Sequence, residues 1–224
     1  MIFDLFRGGF SIEIVIKLCA RLFVLFCVLP VHEFAHAFVA TKLGDQTPRL
    51  SGRLTMNPLA HLDLMGTLMI LLVGFGYAKP VPVNPRNFKN RKGGMALTAA
   101  AGPLSNLLMA VIYMFIYVLI FVKVRPDSGT VPYYLMTFCS VVAQINVALA
   151  VFNLIPIPPL DGSRILAIVL PDKIYYKLLQ YERYIVLGVF ALILFGVLDK
   201  PLQYLTTLVS NGILHLVLLP FGLS

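Results

Sequence analysis

The chain has 224 residues, a net charge of +8, 59% hydrophobic residues and only 12% charged ones, with a mean hydropathy of +0.88. Soluble domains carry about 25% charged residues, so an ordinary soluble fold is excluded and an integral membrane protein is expected. About five to six spans of ~20 residues with short connections use up this length, leaving no room for a separate soluble domain.

The basic surplus is scattered among apolar segments, which points to lipid headgroups and orientation rather than to nucleic acid. Cys19, Cys27 and Cys139 are odd in number, sit in apolar sequence and lack C-x-x-C spacing, so they read as small buried hydrophobes. The N-terminal stretch "MIFDLFRGGFSIEIVIKLCARLF" has no short apolar core followed by an A-x-A site, and is read as mature sequence. Glu13, Lys17 and Arg21, spaced by four, form a charged stripe suited to an interfacial turn.

A first span is predicted at about Leu22–Thr41. Between Gly44 and Pro85 the texture changes: "GDQTPRLSGRLTMNPLAHLD" is turn-rich and strand-like, "LMGTLMILLVGFG" is short for a crossing, and the prolines of "YAKPVPVNPRNF" exclude a helix. This region is expected to form a membrane-associated β-hairpin with a short or re-entrant helix. Further spans are predicted at about Met95–Val122 and Tyr133–Leu154, the latter ending in "IPIPPLDG", and two more apolar runs, Tyr184–Leu198 and Leu202–Leu219, close the chain. The fold class is an all-α polytopic membrane protein: one domain over 1–224, a core at about 20–170 and C-terminal helices at about 184–219. If the first span enters from outside, residues 42–92 and 164–183 share one face and hold twelve of the eighteen Lys and Arg residues, which makes that face cytoplasmic.

The first span carries "PVHEFAHA". His32 and His36 are four apart, so on a helix they stack on one face within reach of a single ion, and Glu33 can reach a water at an open coordination position. Two solvated histidines on an amphipathic helix are the bland alternative. Inside a membrane span, ionisable groups need partners and mark function, which favours the metal. A third ligand is sought by elimination. The metzincin pattern fails because position 42 is Lys and position 39 is Val. Asp4, Glu13, Asp45, Asp127, Asp172, Glu182 and Asp199 lie in loops or near interfaces without a supporting motif, which leaves Asp63 and Asp161. Asp161 is the better candidate, since it follows a proline-broken helix end and unwound backbone at membrane depth must be buried or line a cavity.

"HEFAH" followed by "FNLIPIPPLDG" resembles the site-2 protease family of intramembrane zinc metalloproteases over roughly residues 20–170. "AAAGPLSNLLMA" is similar to that family's G-P-x-x-N stretch, and "GRLTMNPLAHLDLMGTL" with "AKPVPVNPRNF" resembles its compact bacterial branch, without PDZ or CBS domain. The resemblance implies one zinc ion held by His32, His36 and Asp161, with Glu33 as catalytic acid/base. Asn153 is a candidate for binding substrate backbone or an oxyanion; Asn106 and Asn146 are weighed between that role and helix-to-helix hydrogen bonding. His61 is read as structural or interfacial rather than as a fourth ligand, because a closed four-ligand site would leave no water to activate. The function expected is zinc-dependent hydrolysis of a peptide bond within or near a substrate transmembrane segment, with that protein and the lipid bilayer as partners. The location expected is a bacterial plasma membrane with the active site toward the cytoplasm. The rival reading is a metal-ion transporter or channel using the same His and Asp residues; Glu33 and the proline-rich "IPIPPLDG" argue against it.

Overall fold

The computed structural model describes residues 11–63 and 79–223. Its main elements are α1 (Ile12–Phe23), α2 (Leu29–Lys42), α3 (Arg91–Val124), α4 (Val131–Asn153), α5 (Asp161–Leu166), α6 (Asp172–Gln180), α7 (Glu182–Leu194) and α8 (Asp199–Leu218). Single helical turns occur at Thr47–Leu50 and Pro58–His61, and a 3-10 turn at Pro85–Asn87.

Among the described residues, four helices are long and apolar enough to cross a membrane: Ile12–Lys42, Arg91–Val124, Val131–Asn153 and Asp199–Phe221. The chain is therefore an all-helical integral membrane protein. The expected five to six spans are not reached among the described residues. The run at 184–198 forms α7, whose 13 residues reach about 20 Å against a hydrocarbon core of about 30 Å.

The apolar segment expected to be re-entrant lies mostly at 64–78, outside the described residues. Its flanks meet, because the Lys79 N–H donates to the His61 carbonyl at 2.8 Å. The expected β-hairpin is not present as a ladder among the described residues. The 48–58 stretch begins in a helical turn, and the only β feature among the described residues is a single bridge at Leu62. Residues 79–84 carry no helical or turn assignment, and Pro80 and Pro82 hold them open.

The first span opens at Ser11, whose hydroxyl caps the Glu13 N–H at 3.2 Å. Glu13 accepts the Tyr133 hydroxyl at 2.9 Å, tying the start of α1 to the start of α4. Between α1 and α2 lies a π-helical turn, Val24–Val28. Its cause is local: Pro30, the second residue of α2, lacks an N–H and its ring crowds the carbonyl four residues back, and a widened turn relieves both. A consequence follows for Ala20, Val24, Val28, His32, His36 and Ala40, which are spaced by four and all buried. In a regular helix each four-residue step drifts about 40° around the axis. The wide turn offsets part of that drift and keeps the histidines on the inward face.

That face meets α3 and α4. Ala20, Val24 and Val28 pack on Val142 of α4, and Ala96, Ala99 and Ala110 of α3 are also buried. Small residues suit this setting, because helices in lipid gain little from apolar burial and associate by close backbone approach. Helices α3 and α4 are antiparallel. Helix α8 runs parallel to α3: Leu202 and Val209 pack near Ala110, Val147 and Val151, whereas Val217 packs near Met114 and Val118. Both ends of α8 are thus placed by packing, with Lys200 at the same end of the bundle as the start of α3.

Candidate metal centre

Two helical elements deliver three donors to one point. His32 and His36 come from α2 one turn apart, and Asp161 comes from the first position of α5, capped at Leu160. The two imidazole Nε2 atoms lie 3.1 Å apart, and Asp161 Oδ2 is 3.4 Å from His32 Nε2 and 3.3 Å from His36 Nε2. Tetrahedral zinc with Zn–N bonds of 2.0–2.1 Å requires ligand-to-ligand edges of about 3.3 Å. The donor triangle fits, and these three residues form a group able to hold a metal ion. Two neutral imidazoles and one carboxylate leave a fourth tetrahedral position open, the arrangement of a catalytic rather than a structural zinc.

The hydrogen bonds around the triangle orient its lone pairs. Nδ1 of His36 lies 2.7 Å from the Thr98 carbonyl of α3. A carbonyl only accepts, so the His36 proton sits on Nδ1 and Nε2 presents a lone pair to the centre. His32 and His36 are both buried, at 5% and 8% exposure, and His32 Nδ1 has no partner among the described residues. Burial pushes the Asp161 carboxyl up, but hydrogen bonds from both imidazoles outweigh this and hold it well below the usual carboxylate range. It therefore presents a carboxylate.

Glycines let the backbones come this close. A Cβ on Gly102 of α3 would sit 2.3 Å from His36 Nε2 and 2.6 Å from His32 Cε1, so the imidazoles occupy the space a side chain would fill. Pro103 follows, and the Ser105 hydroxyl donates to the Gly102 carbonyl at 2.7 Å. A Cβ on Gly162 would sit 2.3 Å from the Leu154 carbonyl oxygen and 2.5 Å from that of Ile155. The Asp-Gly turn is thereby pressed against the end of α4, and Ser163 secures it by donating both its N–H and its hydroxyl to the Leu160 carbonyl, at 3.0 and 2.7 Å.

The remaining candidates separate. Glu33 is partly buried beside His32 and close enough to His36 to act on it electrostatically. Asn106 is buried one turn beyond Gly102, with neither side-chain atom partnered among the described residues. Asn146 is buried and Asn153 partly buried; their amides donate to Val142 and Leu149 of their own helix, at 2.9 and 3.0 Å. His61 is fully buried away from the triangle with Nε2 at 2.7 Å from the Thr55 carbonyl, the structural placement expected of it. His215 lies on α8.

Sequence reasoning missed the Thr98 carbonyl and Asp45, and met Gly102 only as the glycine of the G-P-x-x-N stretch, without its part in the site. Nothing in a residue type announces a backbone carbonyl as a partner. Gly102 had a signal, as the last of four small residues before Pro103. Asp45 had one too, following the glycine that ends α2: Gly44 takes φ +110, and the Gly44 and Asp45 N–H groups donate to Thr41 and Ala40 at 3.2 and 3.0 Å, closing a Schellman turn.

Comparison with known proteins agrees with the geometry. Residues 121–197, which include Asp161, match the model of peptidase family M50. The chain is 45% identical over 154 residues to "Putative zinc metalloprotease YwhC" of Bacillus subtilis, an alignment covering 69% of this chain and 70% of that protein. It is 29% identical over 139 residues to "Putative zinc metalloprotease Rip2" of Mycolicibacterium smegmatis, covering 60% of this chain and about half, 51%, of that one. A shorter match, 43% over 68 residues, covers 30% of this chain and 31% of "Putative zinc metalloprotease MJ0611" of Methanocaldococcus jannaschii. No solved structure matches. With a donor triangle of zinc dimensions in a bundle of apolar helices, and most of the length of a close relative spanned, this chain belongs to peptidase family M50, the site-2 protease family of zinc metalloproteases.

Proposed function

We propose that the protein is an intramembrane endopeptidase that hydrolyses a peptide bond within or near a transmembrane segment of a substrate protein, with His32, His36 and Asp161 as zinc ligands and Glu33 as the general acid/base. The observation that carries this reading is the donor triangle, with edges of 3.1, 3.3 and 3.4 Å, next to a carboxylate that is not one of its corners. Zinc held there supplies Lewis acidity, making water acidic enough to lose a proton near neutral pH and polarising a carbonyl. The chain's own groups supply the rest. His36 is fixed by Thr98, and Asp161 by Gly162 and Ser163. Glu33 takes the proton of the attacking water and passes it to the leaving amine. Asn153, Asn106 and Asn146 are candidates for holding substrate backbone or the developing oxyanion. A substrate must unwind to reach the site, and an extended strand finds backbone to pair with in residues 48–58 or 79–85. The 79–84 stretch is favoured of the two because it is already open.

The site is proposed to face the cytoplasm of a bacterial plasma membrane. The support is the concentration of Lys and Arg at 42–92 and 164–183, to which the packing of α8 adds Lys200.

The test is Glu33→Gln, which keeps the size of the side chain and all three ligands. Cleavage of a model transmembrane substrate should fall about 10²–10⁴-fold, with one zinc per chain retained. Wild-type cleavage rates deny Glu33 its role, and loss of zinc makes it a ligand. Metal flux into vesicles without any cut substrate, in either protein, would favour a transporter.

A further inference from the structure

Asp45 is fully buried outside the metal site, and its carboxylate gathers four donors. Oδ1 accepts the Thr47 N–H at 3.0 Å, the Thr47 hydroxyl at 2.6 Å and the Asn87 amide at 2.7 Å. Oδ2 accepts the Asn84 N–H at 2.7 Å. The Schellman turn at the end of α2 delivers this carboxylate, and α2 is the helix that carries His32 and His36. From Asn84 the chain runs into Phe88, buried against Gly94 of α3, where a Cβ would meet the ring at 2.4 Å. Asp45 therefore ties residues 79–88 between the two helices that flank the metal centre.

The tie also sets which edge of the open segment is turned away from Asp45. In extended chain, successive N–H and C=O groups point to opposite sides. Pro80 and Pro82 share a side with Asn84, and the prolines have no N–H to offer. The single donor on that side, Asn84 N–H, is held by Asp45. Val81 and Val83 lie on the other side, with both donors and acceptors, and these make no hydrogen bond among the described residues. Val81 is itself buried, which fixes the segment's rotation.

We propose that Asp45 is a positioning residue for substrate: it clamps 79–84 so that the Val81 and Val83 edge is presented to an extended peptide leaving the zinc site. This rests on the protease reading above. The reach is consistent, since α2 continues six residues beyond His36, about 9 Å along the helix, before the turn that delivers Asp45, and about three to four extended residues span that distance. The substrate class is thus a transmembrane segment with at least four to six unwound residues between the scissile bond and the cytoplasmic flank, read through backbone rather than side chains.

The test uses the full chain, reconstituted, with two model transmembrane substrates, one carrying six flanking residues on that side of the cleavage point and one truncated after two. Asp45→Asn is selective, because an amide nitrogen at the Oδ2 position faces the Asn84 N–H donor to donor while Oδ1 keeps its three partners. KM for the long substrate should rise about tenfold, the equivalent of one or two backbone hydrogen bonds. The expected kcat lies within about twofold of wild type, zinc content is unchanged, and the short substrate shows no change. Asn87→Ala, which weakens the clamp from its other end, should shift KM the same way but less, and it reads the proposal if Asp45→Asn loses zinc or fails to fold. An unchanged KM on the long substrate in the folded variants, or equal losses on both substrates, overturns the clamp. A wild-type protein that cuts neither substrate overturns the protease reading instead.

Discussion

Gly102→Ala should cripple the metal centre although it adds one methyl group to a residue that ligates nothing. The new Cβ would lie 2.3 Å from His36 Nε2, 2.5 Å from His36 Cε1 and 2.6 Å from His32 Cε1. Carbon at rest against carbon or nitrogen needs about 3.5 Å, so either α3 or both imidazoles must retreat by about 1 Å. The imidazoles cannot do so and still serve, because a workable zinc site tolerates only about ±0.2 Å in its bond lengths. Helix α3 cannot withdraw freely either: Ala96 and Ala99 are buried on the turns before it and Asn106 on the turn after, and the Thr98 carbonyl would leave His36. Loss of a mere supporting partner of a metal ligand typically lowers affinity 10- to 100-fold. Displacing two ligands together should therefore weaken zinc binding by at least about 100-fold and remove proteolysis with it. Competition with a chromogenic chelator reads the affinity directly. Gly188→Ala and Gly212→Ala are the controls, since a Cβ at either meets nothing within 4 Å; in helices they should be neutral or stabilising by up to about 1 kcal/mol. A Gly102→Ala protein that holds zinc as tightly as these controls would refute the argument that the absent side chain makes room for the histidines.

Asp161→Ala should lose zinc affinity by at least about 100-fold while the helical circular dichroism persists; a variant that holds zinc as wild type removes Asp161 from the site. Lys89→Cys should be protected from a membrane-impermeant thiol reagent added outside intact cells, while Leu223→Cys, at the far end of α8, should be labelled; the reverse pattern would invert the proposed topology. Burial raises the Asp45 carboxyl, but hydrogen bonds from Thr47, Asn84 and Asn87 hold it below the usual range. Its contribution to stability is then present above about pH 4 and fades as the pH falls through the depressed folded value. The gap in melting temperature between wild type and Asp45→Asn should accordingly be flat from pH 6 to 8 and close in acid, and a gap that widens in acid would contradict it.

How much of this was legible in the sequence depends on whether a residue announces its own environment. His32, Glu33 and His36 did, because ionisable groups in apolar sequence are expensive enough to need a reason, and helical spacing alone fixes the shared face of the two histidines. Asp161 did as well, through the prolines that end α4 and the glycine that lets the turn fold back. The long apolar spans were legible by length, which sets the limit at the C-terminus: fifteen apolar positions were counted as a crossing, yet Tyr181 and Phe195 cap a 13-residue helix, and hydropathy cannot report where helix geometry stops. The 44–63 region was read as turn-rich and strand-like, although it holds helical turns at Thr47–Leu50 and Pro58–His61, and the 79–88 region was legible only as a place where prolines exclude a helix. Excluding helix left strand as the default, whereas the order there comes from side chains reaching across the sequence. Arg53 donates to the carbonyls of Ala60 and Lys79, and Asp45 reaches Asn84 and Asn87. Such long-range polar pairs have no period to detect, and a carboxylate in a loop looks solvated until its partners are brought to it. The same reasoning explains why Gly102, visible in the sequence only as part of a motif, gave no sign of mattering to both histidines: its contribution is an absence, and an absence acquires meaning only when the helix opposite is known.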